Sequence, residues 1–131
     1  MRFRVRLPLL VALLLTAGCG GDDEKKGPRG PVRTVPAGQP LRVVGKEYSF
    51  TPARVSTGGS EPIRVELENR GTLAHNLKVL QDGRELGGTP TFTQGTRGGS
   101  VQLAPGKYRV VCTVGNHEQL GMVGELEVTG R

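Results

Sequence analysis

Four side chains able to bind a soft metal stand in the C-terminal part of this 131-residue sequence: His75, Cys112, His117 and Met122. Apart from Met1 and Cys19 near the N-terminus, they are all the Cys, His and Met residues the chain has. Three fall in one eleven-residue window, Cys112 to Met122, with four residues between each consecutive pair. His75 lies 37 positions upstream of Cys112. One thiolate and two imidazoles in a trigonal plane, with a weak thioether on the axis, form the copper site used for electron transfer. Thiolate and thioether suit Cu(I), and imidazole accepts both oxidation states. Taken singly, each residue has an ordinary explanation: a buried small Cys, a structural His, a Met filling a core. Their conjunction is what points to a metal. Zinc is the competing metal for a His2Cys set, but it rarely takes thioether sulfur, so Met122 favours copper. A disulfide would have Cys19 as its one available partner.

Such a set needs elements that hold it still, and the sequence from 41 onward has strand period. Leu41–Val44, then Tyr48–Phe50 and Ala53–Val55, alternate apolar and polar residues around Gly45 and Pro52. Glu61–Asn69 is the clearest strand, with Ile63, Val65 and Leu67 on one face and Arg64, Glu66 and Glu68 on the other. His75–Gln81 alternates again before the Asp82-Gly83 turn. Residues 83–99, rich in glycine and without period, read as a long surface loop with at most a short edge strand at Pro90–Thr93. Ser100–Leu103 and Lys107–Cys112 flank the turn Ala104-Pro105-Gly106, and Met122–Thr129 is the closing strand. No stretch has convincing helical spacing. With 21 Gly and 9 Pro, about seven short strands point to an all-β fold, an antiparallel Greek-key β-sandwich or barrel. In it a loop between two strands brings Cys112, His117 and Met122 to one metal, and a neighbouring strand supplies His75.

The N-terminus reads as an address. Arg2, Arg4 and Arg6 precede the apolar run Leu7–Ala17, too short to span a bilayer but right for a signal peptide. The run ends in Leu15-Thr16-Ala17-Gly18-Cys19, which resembles the bacterial lipoprotein cleavage box and implies lipidation of Cys19. An ordinary secretory signal is the alternative. Gly20–Gly38 is polar and holds few apolar residues. The expected organisation is a signal peptide over 1–18, a flexible tether over 19–39 and one copper-binding domain over 40–131. The expected place is outside the cytoplasm, lipid-anchored to the membrane. The formal charge of +6 owes half its excess to the three leader arginines. No Lys/Arg cluster with interleaved aromatics remains, which argues against nucleic-acid binding.

The domain resembles the cupredoxin family of type 1 blue copper proteins, the plastocyanins and azurins. The resemblance is carried by Tyr48-Ser49-Phe50, by Asn69 and Gly71 ahead of His75-Asn76, by Pro105-Gly106 and Tyr108 ahead of Cys112, and by Gly121-Met122, Gly124 and Leu126. The four-and-four spacing of the ligand loop is similar to that of the auracyanins and rusticyanin. The resemblance implies that Asn76 braces the ligand loop through hydrogen bonds and that His117 has an exposed edge in an apolar patch with Gly115, Leu120 and Gly121. It also implies redox partners such as a cytochrome or a terminal oxidase. The expected oligomeric state is a monomer.

Three functions fit a copper domain to different degrees. An electron carrier needs one site and a docking face. A copper enzyme needs a second centre, and both histidines are already committed. A copper chaperone or storage protein is the alternative, and it would want exchangeable Met- and His-rich binding.

Overall fold

The computed structural model describes residues 27–59 and 62–130. The signal peptide, Cys19 and the first part of the tether lie outside the described residues. Among the described residues ten strands form two sheets: β1 (Val32–Val35), β2 (Leu41–Lys46), β3 (Ser49–Thr51), β4 (Arg54–Gly58), β5 (Ile63–Asn69), β6 (Lys78–Gln81), β7 (Arg84–Gly88), β8 (Gly95–Val101), β9 (Gly106–Val111) and β10 (Val123–Thr129). The larger sheet runs β1-β4-β10-β9-β6-β7 and the smaller β3-β2-β5-β8. Among the described residues there is no α-helix. The all-β sandwich expected from the sequence is the architecture found.

Alternation sets which faces meet. In β5, Ile63, Val65 and Leu67 are buried while Arg64 is exposed. Leu41 and Val43 of β2 and Val79, Val110, Leu126 and Val128 of the larger sheet close on the same core. Five ladders are antiparallel, but β1–β4, β4–β10 and β2–β5 pair in parallel. Parallel neighbours need a crossover, and here the chain makes it by passing between sheets.

The structure adds strands where the sequence shows no period. Residues 83–99, read as a loop, contain β7 and most of β8, while Pro90–Thr93 contributes only an isolated bridge from Phe92 to His75. Both strands expose nearly every side chain, so nothing drives an apolar alternation. Their glycines serve close backbone approach instead: a Cβ at Gly99 would collide with the Gly88 carbonyl. Within the segment read as tether, Val32–Val35 forms β1, with side chains exposed or half-buried. Its pairing with β4 is a matter of backbone hydrogen bonds, to which a hydrophobic pattern is blind.

Candidate metal centre

Strand register brings the candidate ligands to one end of the larger sheet. In β9, Val111 pairs with Lys78 of β6 on one side and with Val123 of β10 on the other. Cys112 follows β9 directly, Met122 immediately precedes β10, and His75 stands three residues before β6. Three adjacent strands therefore deliver their ligands to the same edge.

The loop between β9 and β10 is tied to itself. Cys112 N donates to the Met122 carbonyl at 3.2 Å, Met122 N to the His117 carbonyl at 3.0 Å, and His117 N to the Val114 carbonyl at 3.0 Å. Gly115 at φ +49° and Gly121 at φ +112° take the left-handed turns that this closure requires. His75 is fixed separately, exchanging backbone hydrogen bonds with Phe92 at 3.0 and 3.1 Å.

Asn76 joins the two pieces. Its Nδ2 donates to Thr91 Oγ1 at 2.9 Å and Thr113 Oγ1 at 2.8 Å, and its Oδ1 accepts from Thr113 N at 2.9 Å. The residue after His75 thus clamps the residue after Cys112, the bracing that the resemblance implied for Asn76.

The donor atoms converge. His75 Nδ1 and His117 Nδ1 are 3.2 Å apart, and Cys112 Sγ lies 3.9 Å from the first and 3.5 Å from the second. A triangle with these sides has a point about 2.1 Å from every corner, close to ordinary metal–nitrogen and metal–sulfur bond lengths of about 2.0 to 2.3 Å. His75, Cys112 and Met122 are fully buried, and His117 is 7% exposed. Backbone bonds tie Met122 to Cys112 and His117. Its Cε lies 3.2 Å from where a Cβ at Gly45 would be, so the bare β2 backbone leaves room for the thioether. The donor set and its spacing fit a soft first-row metal ion.

Electrostatics favour ligand-competent histidine. Burial pushes the His75 imidazole below its ordinary pKa, against a raising influence from Glu47 and with a further lowering one from His117. It is therefore neutral at neutral pH, with a lone pair free for a metal. Glu47 went unnoticed in the sequence, where it looks like an ordinary charged turn residue. Its Oε1 accepts from Thr72 N at 2.5 Å and Leu73 N at 2.8 Å and lies 3.5 Å from His75 Nε2. The Leu73 amide first, then Glu47's own amide and that of Thr72, hold its pKa down to about 2 against a raising influence from burial.

Around the site, the Tyr48 ring meets His117 edge-on, with centroids 4.9 Å apart. Leu120, two residues before Met122, is half exposed. Leu73, two residues before His75, is likewise exposed and was not singled out in the sequence.

By sequence the chain matches no family model and no curated protein. Solved structures do resemble it. Auracyanin B superposes with a TM-score of 0.62 at 21% identity, over 79% of this chain and 96% of that one. Rusticyanin from Thiobacillus ferrooxidans gives 0.59 at 19% identity, over 73% and 82%. A Cu-containing nitrite reductase from Thermus scotoductus gives 0.51 at 20% identity, over 69% of this chain but 22% of the larger one. Shared architecture at such low identity is a statement about fold, and it agrees with the resemblance found in the motifs: the described domain has the cupredoxin fold.

Proposed function

We propose that this chain is a type 1 blue copper protein that carries single electrons outside the cytoplasm, held at the membrane by a lipid on Cys19. The observation that carries the reading is the convergence of His75 Nδ1, His117 Nδ1 and Cys112 Sγ to edges of 3.2, 3.5 and 3.9 Å; Met122, fully buried and tied by its backbone to Cys112 and His117, would offer its thioether as a weak fourth donor. When bound there, copper supplies a one-electron Cu(I)/Cu(II) couple.

The protein's own part is to keep the donors fixed. The backbone bonds of the Cys112–Met122 loop and the Asn76 clamp resist movement when the charge at the site changes. Burial of His75, Cys112 and Met122 keeps water off three of the four donors. His117, with its slight exposure and its contact with Tyr48, is the route between the site and a docked redox protein. A cytochrome or a terminal oxidase is the partner class that the resemblance suggests. Catalysis at copper would need another centre, and the sequence has two histidines in all. Both are placed in this one, so a carrier fits better than an enzyme.

A copper chaperone or storage protein is the second reading, because it needs the same donors. The enclosed thiolate disfavours it: a metal meant for transfer wants an accessible site. The deciding test is an optical and EPR titration of the purified protein with Cu(II), followed by ascorbate. A carrier gives a strong thiolate-to-copper band with narrow hyperfine splitting, bleached by reductant and restored by oxidant with copper retained. Copper that leaves on reduction supports the chaperone. Replacement of the thiolate, Cys112→Ser, should abolish the colour and most of the affinity, and a blue Cys112→Ser protein would overturn the ligand assignment. The anchor is tested apart from the metal: Cys19→Ala should move the protein from the membrane to the soluble fraction.

A further inference from the structure

Nε2 of His75 is fully buried and makes no hydrogen bond. The charged acceptor the structure brings to it is Oε1 of Glu47, 3.5 Å away, within ion-pair reach but long for a hydrogen bond. Glu47 is not there by chance of rotamer. It leaves the end of β2, crosses to the loop that leads into His75, and takes the amide protons of Thr72 and Leu73. Gly71 opens the space for it, since any Cβ there would collide with the carboxylate. Arg70 N also donates to the Gly45 carbonyl at 2.9 Å, holding the same loop against the end of β2.

An imidazole that offers Nδ1 to a metal must carry its proton on Nε2, and the partner of that proton fixes the tautomer and the ring's orientation. We propose that Glu47 is the positioning residue of the metal centre: its carboxylate holds the proton on His75 Nε2, turns the bare Nδ1 toward the metal position, and sets a fixed negative charge one imidazole away. A consequence for the facing ring follows: with His75 Nδ1 bare, the contact between the two Nδ1 atoms, 3.2 Å apart, would be donated by His117 in the metal-free protein. The effect of the charge on a redox couple rests on the copper reading above, but the tautomer does not.

The first test therefore uses the metal-free protein at neutral pH and reads the 15N resonances of His75. The expected result is a protonated Nε2 and a bare Nδ1, and a proton on Nδ1 would overturn the proposal. The second test compares copper-loaded wild type with Glu47→Gln and Glu47→Ala. The glutamine can still accept from Thr72, Leu73 and His75, so its fold and tautomer should persist while the charge is lost. Its preference for Cu(II) over Cu(I) should fall roughly tenfold, a rise in reduction potential of ~59 mV for a one-electron couple. Glu47→Ala should also lose metal affinity by roughly 10-fold or more, as other losses of a ligand's outer partner do. Unchanged potential and affinity in both variants would overturn the proposal as well. Should Glu47→Ala not fold, Glu47→Gln and the wild-type tautomer decide. A wild-type protein without a thiolate band would sink the copper reading and leave the tautomer test of Glu47 standing.

Discussion

Asn76 offers the sharpest check on how the site is built. Asn76→Ala removes three hydrogen bonds, to Thr91 Oγ1, Thr113 Oγ1 and Thr113 N. Each such bond contributes about 1 kcal/mol net. The Asn76 side chain is 3% exposed, but Thr91 and Thr113 are both exposed, so their released groups turn to water and add no large desolvation cost. The expected loss is therefore about 2 to 3 kcal/mol in the metal-free protein, read from urea unfolding followed by far-UV circular dichroism. Because Asn76 links the residue beside His75 to the residue beside Cys112, metal affinity should fall as well, by roughly 10- to 100-fold. A double-mutant cycle with Thr113→Ala isolates the hydroxyl bond and should return a coupling of about 1 kcal/mol. A stability loss below about 0.5 kcal/mol, or strictly additive variants with unchanged metal affinity, would mean that the two loops hold their places without the clamp.

Two further outcomes follow from the same geometry. Met122→Leu keeps nearly the same apolar volume, so stability should change by less than about 1.5 kcal/mol. Copper should stay bound and the reduction potential should rise, because loss of a weak thioether donor would disfavour Cu(II); an unchanged potential would remove Met122 from the proposed ligand set. The metal-free protein should lose stability in two stages on acidification. His75 is held below 6.5 in the fold, chiefly by burial, so below about that pH the unfolded chain gains a proton that the folded one refuses. Glu47, at about 2 against an ordinary 4.5, adds a contribution that is complete above 4.5 and disappears as pH falls toward 2. Urea midpoints between pH 8 and 3 read both stages, and a flat profile would contradict them.

The candidate site was more legible in the sequence than the scaffold, for a physical reason. Metal ligation depends on side-chain type, and His75, Cys112, His117 and Met122 stand out because the domain spends none of these residue types elsewhere. Strands such as β5 were legible because one face is buried and the other wet. β1, β7 and β8 were not, because edge strands with two exposed faces are held by backbone bonds that leave no apolar rhythm. Glu47 was hidden for another reason. Its partners Thr72 and Leu73 lie 25 and 26 positions away, and a carboxylate in a turn looks the same whether it faces solvent or a histidine. Gly71 belongs to the motif ahead of His75, but its use, making room for that carboxylate, shows only in the fold.

The split of the ligands between a single short loop and one distant residue also bears on the order of assembly. Cys112, His117 and Met122 are separated by so few residues that gathering them costs little chain entropy, and loops of about ten residues close in roughly 10 to 100 ns. On the proposed ligation, an unfolded chain could therefore catch an ion with three donors before any sheet exists. His75 would join only once β6 has docked beside β9, so the last coordination bond would report completion of the sandwich. Early capture would leave the ion in a loose three-donor state, and maturation to the four-donor centre would be timed by the formation of the fold itself.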